Sequence, residues 1–182
     1  MSHFLLLHGF LGQPAQWQWL ESELQGRGHT TRALALPRGM WDDEIAYVHR
    51  EVQAAATPPV LVGHSLGGVL VRSYAIVHPD VALGLGTIAT PTPGYRAPWL
   101  DEVGRFDDDG RYHPDVARFL TLAFPGGPPE LAAFPWEQPP LRGRLPEGEV
   151  SGSEPRVAIL AEDDEAVPAA DQQQAAALLR AP

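Results

Sequence analysis

The feature that most constrains the fold of this chain is a short apolar run that leads directly into a Gly-x-Ser-x-Gly pattern. Residues 60–62 are Val, Leu and Val, and residues 63–68 continue as Gly-His-Ser-Leu-Gly-Gly. This pattern is typical of a strand that turns sharply into a helix and holds the serine hydroxyl above the edge of a sheet. Glycines suit both flanks, because the serine backbone is strained and neighbouring segments pass too close for a side chain. Ser65 is therefore the candidate nucleophile.

Length, charge and cysteine content narrow the class of protein. With 182 residues, 44% of them hydrophobic, the chain is predicted to form one domain around one core. A formal net charge of -10 argues against nucleic acid and anionic membrane surfaces as partners. The absence of cysteine excludes disulfides and thiolate sites. No apolar stretch approaches the roughly 20 residues that span a bilayer, and the N-terminus does not resemble an export signal, so we expect a cytoplasmic location.

Short apolar runs alternate with helical patterns along most of the chain. This alternation predicts an α/β fold with a parallel sheet of about five strands and helices on both faces. The predicted strands are residues 4–7, 31–36, 60–62, 83–89 and 156–160. The predicted helices are residues 14–26, 41–56, 66–77 and 169–181.

A long segment, residues 90–155, separates the fourth predicted strand from the fifth. It is rich in proline and glycine and has no long periodic run, and only residues 119–124 and 130–134 are predicted as short helices. A compact domain rarely carries so long a loop unless the loop is functional, so we interpret residues 92–155 as a cap or lid inserted into a single domain of residues 1–182. A partly disordered insertion is the alternative.

A serine nucleophile needs a base to take its proton and donors to receive the oxyanion that forms. Residues 8–10, His-Gly-Phe, directly follow the first predicted strand. A backbone amide just past the His-Gly pair can point at the same place as the amide of Leu66, which follows the serine. The backbone N–H groups of Phe10 and Leu66 are therefore the predicted oxyanion hole.

Together these motifs resemble those of the α/β-hydrolase superfamily, and of its serine esterases and lipases in particular. Residues 7–12, Leu-His-Gly-Phe-Leu-Gly, are similar to the family's oxyanion strand end, and residues 63–68 to its nucleophile turn. The similarity continues through residues 74–79 and the strand that ends at residues 90–91, and it resumes at residues 157–168. The resemblance implies the α/β-hydrolase fold with a cap insertion and acyl transfer by a serine, without a cofactor or a metal.

The resemblance also implies the position of the triad acid. Residues 157–168 are similar to the strand and turn that carry this acid in the family, and the matching residue is Asp164. It lies in a run of four acidic residues, 162–165, and such a run is more often a solvated or helix-capping turn than a catalytic one. Asp163 is the nearest competitor.

No histidine stands where the family carries its base. In the family the histidine follows the acid after one more strand, whereas no histidine follows Asp164 here. The histidines of the chain are His3, His8, His29, His49, His64, His78 and His113. Only His113, in the cap segment, could in principle swing over the site, and a general base must come within hydrogen-bond reach of Ser65. The chain as given is therefore expected to be inactive unless another group supplies the base.

Three explanations fit the missing histidine. We favour a C-terminally shortened piece of a complete hydrolase; a non-catalytic relative with a binding pocket and an enzyme that takes its base from a partner are the alternatives. Without a further strand, residues 157–160 would form an exposed apolar edge, which favours self-association.

The predicted activity is hydrolysis of carboxylic esters of small apolar acyl groups through an acyl-enzyme. Ser65 would attack the ester carbonyl, and the amides of Phe10 and Leu66 would hold the oxyanion. Apolar and aromatic side chains of the cap suit such an acyl group; they are Trp99, Phe119, Phe124, Phe134 and Trp136. The start of the chain also resembles the menaquinone-pathway synthases of the same superfamily, so a C–O lyase is the alternative enzyme.

Overall fold

The computed structural model describes residues 1–37, 39–109, 111–123 and 143–181. The strands are β1 (His3–Leu7), β2 (Thr30–Leu34), β3 (Val60–His64), β4 (Gly84–Ile88), β5 (Gly104–Phe106), β6 (Tyr112–Pro114) and β7 (Arg156–Ile159). The helices are α1 (Gln18–Gly26), α2 (Trp41–Ala54), α3 (Leu66–Val77), α4 (Val116–Ala123) and α5 (Ala169–Leu179). Short 3-10 turns cover Pro14–Trp17 and Pro98–Asp101.

Within the described residues, five strands form one sheet in the order β2-β1-β3-β4-β7. Every neighbouring pair is parallel, so the carboxyl ends of these strands meet at one edge. The chain turns in opposite directions from β1 and from β3, and ligands of open α/β sheets bind at such a switch point. The predicted α/β fold with about five parallel strands is confirmed, and it brings the turns after β1 and β3 side by side.

The main core lies between the sheet and helices α2 and α3. It is built from alternate residues of the strands, from one face of α2 and from α3, whose residues 67–75 are all buried. Its largest contributors are Leu5, Leu7, Leu61, Leu85, Trp41, Ile45, Val48, Val52, Val69, Leu70 and Tyr74. Burial of each such aliphatic side chain contributes about 1.5–3 kcal/mol. On α2 the buried residues Ile45, Val48 and Val52 recur at three- and four-residue spacing and form one apolar face.

Helix boundaries differ from the prediction near the N-terminus. The predicted helix over residues 14–26 starts as a 3-10 turn and becomes α-helical only at Gln18. Trp17 is buried, but α1 itself buries none of its residues, so its contact with the sheet is shallow. Proline at the first position and the tryptophan anchor fix where the turn begins.

The segment between β4 and β7 contains regular structure that the sequence did not indicate. Strands β5 and β6 form an antiparallel hairpin, and α4 begins at Val116, three residues before the predicted helix at 119–124. The helix predicted at 130–134 lies outside the described residues. A second apolar cluster holds these elements together; its buried members are Leu11, Ala97, Leu100, Val103, Tyr112 and Phe119. Because Leu11 follows β1, this cluster packs against the turn after β1.

Strand β7 is an outer strand of the sheet, and its apolar side chains are only partly covered. Val157 is 52% exposed and Ile159 is 55% exposed. Self-association through this edge stays a prediction, as does the cytoplasmic location. In the described part of the chain, no helix has the length and apolar character needed to cross a membrane.

Two histidines and a tyrosine meet where α2 packs on α3. The rings of His49 and His78 stack with centroids 4.0 Å apart, and Nδ1 of His49 lies 3.2 Å from the hydroxyl of Tyr74. Burial raises the pKa of Tyr74 to about 12, so its hydroxyl stays protonated. Burial lowers the pKa of His78, and a positive charge on His49 lowers it further.

This histidine pair predicts acid sensitivity of the fold. Because the folded-state pKa of His78 is depressed, the unfolded chain takes up the proton first as the pH falls below the ordinary histidine value, about 6.5, and the fold loses stability. The loss ends below the depressed pKa, where both states are protonated. We expect His78→Phe, which keeps the stacking, to lose less stability than the wild type between pH 7.5 and pH 5. Urea unfolding at both pH values measures this, and equal losses in the two proteins would contradict it.

Candidate functional site

Ser65 lies at the junction between β3 and α3 in a strained backbone conformation. Its φ of 52° and ψ of -121° fall in a region that costs non-glycine residues about 1–3 kcal/mol. Two hydrogen bonds hold the turn. The Ser65 N–H donates to the carbonyl of Ile88 on β4 at 2.9 Å, and the Gly68 N–H donates to the Ser65 carbonyl at 2.9 Å. The sharp strand-to-helix turn expected from the sequence is present.

Three glycines around Ser65 are needed for close packing of backbone. A Cβ on Gly63 would collide with the carbonyl of Gly67, and one on Gly68 would collide with the side chain of Thr90. A Cβ on Gly67 would collide with the carbonyl oxygen of Leu7 and lie 2.7 Å from that of His8. The N-terminus of α3 can therefore sit directly against the end of β1.

The turn after β1 lies against Ser65. The Gly12 N–H donates to the Gly9 carbonyl at 3.0 Å, and Leu11 takes a positive φ of 57°. An added Cβ on Gly9 would lie 3.0 Å from the Cβ of Ser65. Within the described part of the chain, the backbone N–H groups of Phe10 and Leu66 donate to no acceptor. Both uncommitted donors therefore belong to residues that directly follow the Gly9–Ser65 contact in the chain.

Asp164 is held in one orientation by its own turn. Its Oδ1 accepts hydrogen bonds from the N–H of Ala166 at 2.7 Å and from the N–H of Val167 at 3.0 Å. Among the described residues, nothing donates to Oδ2. Asp164 is half-buried, whereas Asp163 is exposed. Of the two adjacent acids, only Asp164 has a fixed carboxylate with an oxygen left for a further donor.

Gln172, on α5, holds both ends of the turn that carries Asp164. Its side chain is buried, with 1% exposed. Its Oε1 accepts from the N–H of Ala161 at 2.9 Å, and its Nε2 donates to the carbonyls of Ala161 at 3.0 Å and Val167 at 2.6 Å. Sequence reasoning missed this residue, since it stands first in a run of three glutamines on a helix that reads as polar surface.

The stretch after β4 is tied to the same turn and to α5. The hydroxyl of Tyr95 donates to the carbonyl of Ala166 at 3.1 Å, and the indole N–H of Trp99 donates to the same carbonyl at 3.3 Å. Thr92 donates through its N–H, at 2.8 Å, and its hydroxyl, at 2.7 Å, to the carboxylate of Asp171. The beginning of the predicted cap is therefore anchored on the acid turn.

Electrostatics link the serine turn with the acid turn. His64 is exposed, yet protein atoms crowd its ring and lower the pKa of the imidazole, while the charge of Asp164 acts in the opposite direction. The Ala89 N–H donates to the Ile159 carbonyl at 2.9 Å, which joins the ends of β4 and β7. The field of Asp164 thus reaches the residue before Ser65.

His113 is engaged elsewhere. It lies on the β5–β6 hairpin, where its partly exposed ring places Nε2 2.8 Å from Oδ2 of Asp107. In the described part of the chain its ring is paired with this carboxylate and makes no hydrogen bond with Ser65. The structure therefore does not bring His113 and Ser65 together.

Known proteins with similar sequences are named as different kinds of enzyme. In an alignment 134 positions long that covers 65% of this chain, it is 29% identical to a triacylglycerol lipase of Pseudarthrobacter phenanthrenivorans and spans 42% of that protein's length. In an alignment 171 positions long that covers 77% of this chain, it is 30% identical to a tRNA N6-adenosine threonylcarbamoyltransferase of Synechococcus sp. strain WH7803 and spans 48% of that protein's length. The chain thus spans less than half of each of these two relatives.

A solved structure shares the fold of this chain, and a sequence profile identifies its family. A crystal structure of a pyrethroid hydrolase from Sphingobium faniae JZ-2 superposes with a TM-score of 0.79 at 24% identity, covering 97% of this chain and 84% of that one. The sequence profile of the alpha/beta hydrolase family matches residues 4–182. This match spans nearly the whole chain, which therefore belongs to the alpha/beta hydrolase family.

Proposed function

We propose that this chain is a carboxylic ester hydrolase in which Ser65 is the nucleophile. The observation that carries the proposal is the strained Ser65 turn, which packs closely against Gly9. The approach is so close that a Cβ atom, if Gly9 had one, would lie only 3.0 Å from the Cβ of Ser65. This packing supports a role for the N–H groups of Phe10 and Leu66, which follow Gly9 and Ser65 in the chain and have no acceptor in the described residues. A nucleophile beside two free donors suits a reaction in which negative charge develops on a carbonyl oxygen.

The chemistry follows from that arrangement. Ser65 Oγ attacks the ester carbonyl carbon, and the oxygen that gains the charge accepts hydrogen bonds from Phe10 and Leu66. The positive end of α3 lies at the same place, because Leu66 is its first residue. A base takes the serine proton during attack and passes it to the departing alkoxide, so collapse of the intermediate releases the alcohol and leaves an acyl-serine, which water hydrolyses to the acid and free serine.

Asp164 is the proposed triad acid. Its Oδ1 is held by two backbone N–H groups, and its Oδ2 is left to orient the imidazole of a base. We assign no residue as that base, because the family's histidine comes after the acid and no histidine follows Asp164 in this sequence. Turnover by these 182 residues alone is therefore a separate question from the identity of the nucleophile.

An apolar acyl group suits the surroundings of Ser65. The ring of Phe10 packs against the ring of Tyr112 with centroids 5.2 Å apart, so the second apolar cluster reaches the turn after β1. Trp99 and Phe119 belong to the same cluster, with centroids 6.0 Å apart. The other predicted acyl-contacting residues, Phe124, Phe134 and Trp136, lie outside the described residues. The lipase relative supports ester substrates at the level of reaction class.

Labelling with a fluorophosphonate tests the nucleophile. We expect one covalent adduct on Ser65, formed faster when imidazole is added to the buffer as an external base, and no adduct in Ser65→Ala. Loss of a serine nucleophile lowers the rate by at least about a thousandfold, so the variant should show no adduct by intact-protein mass spectrometry.

Ser73→Ala is the matched control, because Ser73 lies on the same helix with its hydroxyl buried and bonded to the Val69 carbonyl at 2.8 Å. It should be labelled like the wild type. A wild type that stays unlabelled with imidazole present would overturn the hydrolase proposal and favour a binding protein. Labelling without hydrolysis of p-nitrophenyl esters under the same conditions would favour the lyase alternative.

A further inference from the structure

One peptide group connects the start of the predicted cap to Asp164. The carbonyl of Ala166 accepts hydrogen bonds from the Tyr95 hydroxyl at 3.1 Å and the Trp99 indole at 3.3 Å. The N–H of the same peptide group belongs to Val167, and it donates to Oδ1 of Asp164 at 3.0 Å. Two cap side chains therefore act on one end of a peptide whose other end holds the carboxylate.

Such a chain of hydrogen bonds has two physical effects. Donors on a carbonyl polarise the peptide and strengthen donation by its N–H, since consecutive hydrogen bonds reinforce one another. Two donors converging on one oxygen also fix the orientation of the peptide plane, and with it the direction from which Val167 reaches Asp164. Both effects favour one orientation of the carboxylate.

The surroundings of Tyr95 keep its hydroxyl protonated and keep residues 92–99 attached to the protein. Burial raises the pKa of Tyr95, and the negative charges of Asp171 and Asp164 raise it further, so the hydroxyl remains a donor. Thr92 is fixed to Asp171 by two hydrogen bonds, 2.8 Å and 2.7 Å long. Residues 92–99 are thus attached to α5 at one end and to the acid turn at the other.

We propose that Tyr95 and Trp99 are positioning residues for Asp164, which they hold through the peptide group between Ala166 and Val167. The proposal rests on the proposed function only in giving Asp164 the role of triad acid. It makes the orientation of that acid depend on residues 92–99, so displacement of this stretch loosens the carboxylate.

The test uses Tyr95→Phe, which removes the hydroxyl and keeps the ring. We expect amide hydrogen exchange of Val167, measured by NMR, to accelerate about tenfold relative to the core amide of Leu61, the change that loss of one hydrogen bond predicts. The Val167 amide proton should also move upfield, because its bond to Asp164 weakens. If Ser65 is labelled by the fluorophosphonate in the wild type, its labelling in Tyr95→Phe should be several-fold slower.

Tyr112→Phe is the matched control. It deletes a buried tyrosine hydroxyl in the same segment, one that donates to the Leu100 carbonyl at 2.8 Å and does not touch the acid turn. General loosening of the segment would change Val167 equally in both variants, and that result would overturn the proposal. An unchanged Val167 amide in Tyr95→Phe would also overturn it. The exchange measurement needs no turnover, so an unlabelled Ser65 would count against the proposed function alone.

Discussion

Replacing Gly67 by alanine is expected to destabilise the protein by more than about 4 kcal/mol, or to prevent folding. The new methyl group would collide with the carbonyl oxygen of Leu7 and lie 2.7 Å from that of His8. Both obstacles are backbone atoms at the end of a central strand, so no side chain can rotate away. Relief requires that α3 separate from β1, which opens the core, and a domain has only about 5–15 kcal/mol of stability to lose.

Gly26→Ala is the control for this substitution. Gly26 ends α1, has no atom within 4 Å of an added Cβ and does not have a positive φ. Alanine there should leave stability unchanged or raise it by about 0.5–1 kcal/mol, because it restricts the unfolded chain. Urea unfolding followed by circular dichroism compares the variants. A Gly67→Ala protein within about 1 kcal/mol of the wild type would contradict the close approach of β1 and α3.

The central sheet could be predicted from the sequence because its strands and the turn that contains Gly67 are marked by short-range sequence patterns. Runs such as residues 60–62 are short and apolar, here with two β-branched valines, and the glycines of the serine turn directly follow this run. These patterns are local in the sequence, and the strands that they predict are present in the sheet. The β5–β6 hairpin gave no such signal, because each strand has only three residues and its stability comes from contacts with the second apolar cluster.

The site was predictable as far as its signals were local. Ser65 and the turn after β1 are marked by fixed glycine spacings, and both follow the predicted strands, while their catalytic roles stay proposals. The sequence alone does not distinguish Asp164 from Asp163, because both are aspartates in the same acidic run. They differ in the folded chain, where the N–H groups of residues 166 and 167 donate hydrogen bonds to the carboxylate of Asp164. Tyr95 and Trp99 contact the acid turn across about 70 residues of chain, 71 and 67 positions away from Ala166, and nothing in their own neighbourhood reports that contact.

Gln172 is the residue whose loss should most disturb the acid turn. Leucine has a similar volume but no polar atoms, so Gln172→Leu leaves three backbone groups without their partners: the N–H and carbonyl of Ala161 and the carbonyl of Val167. Ala161 is exposed, and water can replace part of what it loses, whereas Val167 is buried. We therefore expect a loss of about 2–3 kcal/mol of unfolding free energy, in the upper half of the range for one unsatisfied buried group.

Gln174→Leu is the control on the same helix. Gln174 is exposed, so the same substitution there should change stability by less than about 0.5 kcal/mol. Urea unfolding of both variants gives the difference, and equal values would show that Gln172 acts only by filling space.

Gln172→Glu separates hydrogen bonding from volume. The carboxylate keeps the acceptor for Ala161 but faces two carbonyl oxygens without a proton to donate, so at neutral pH this variant should be less stable than Gln172→Leu. Burial and the facing carbonyls raise the folded-state pKa of the new carboxyl above its unfolded value. Its stability should therefore recover as the pH falls through that raised pKa, when the protonated group becomes a donor again. A pH-independent difference between the two variants would contradict the hydrogen-bonded role of Gln172.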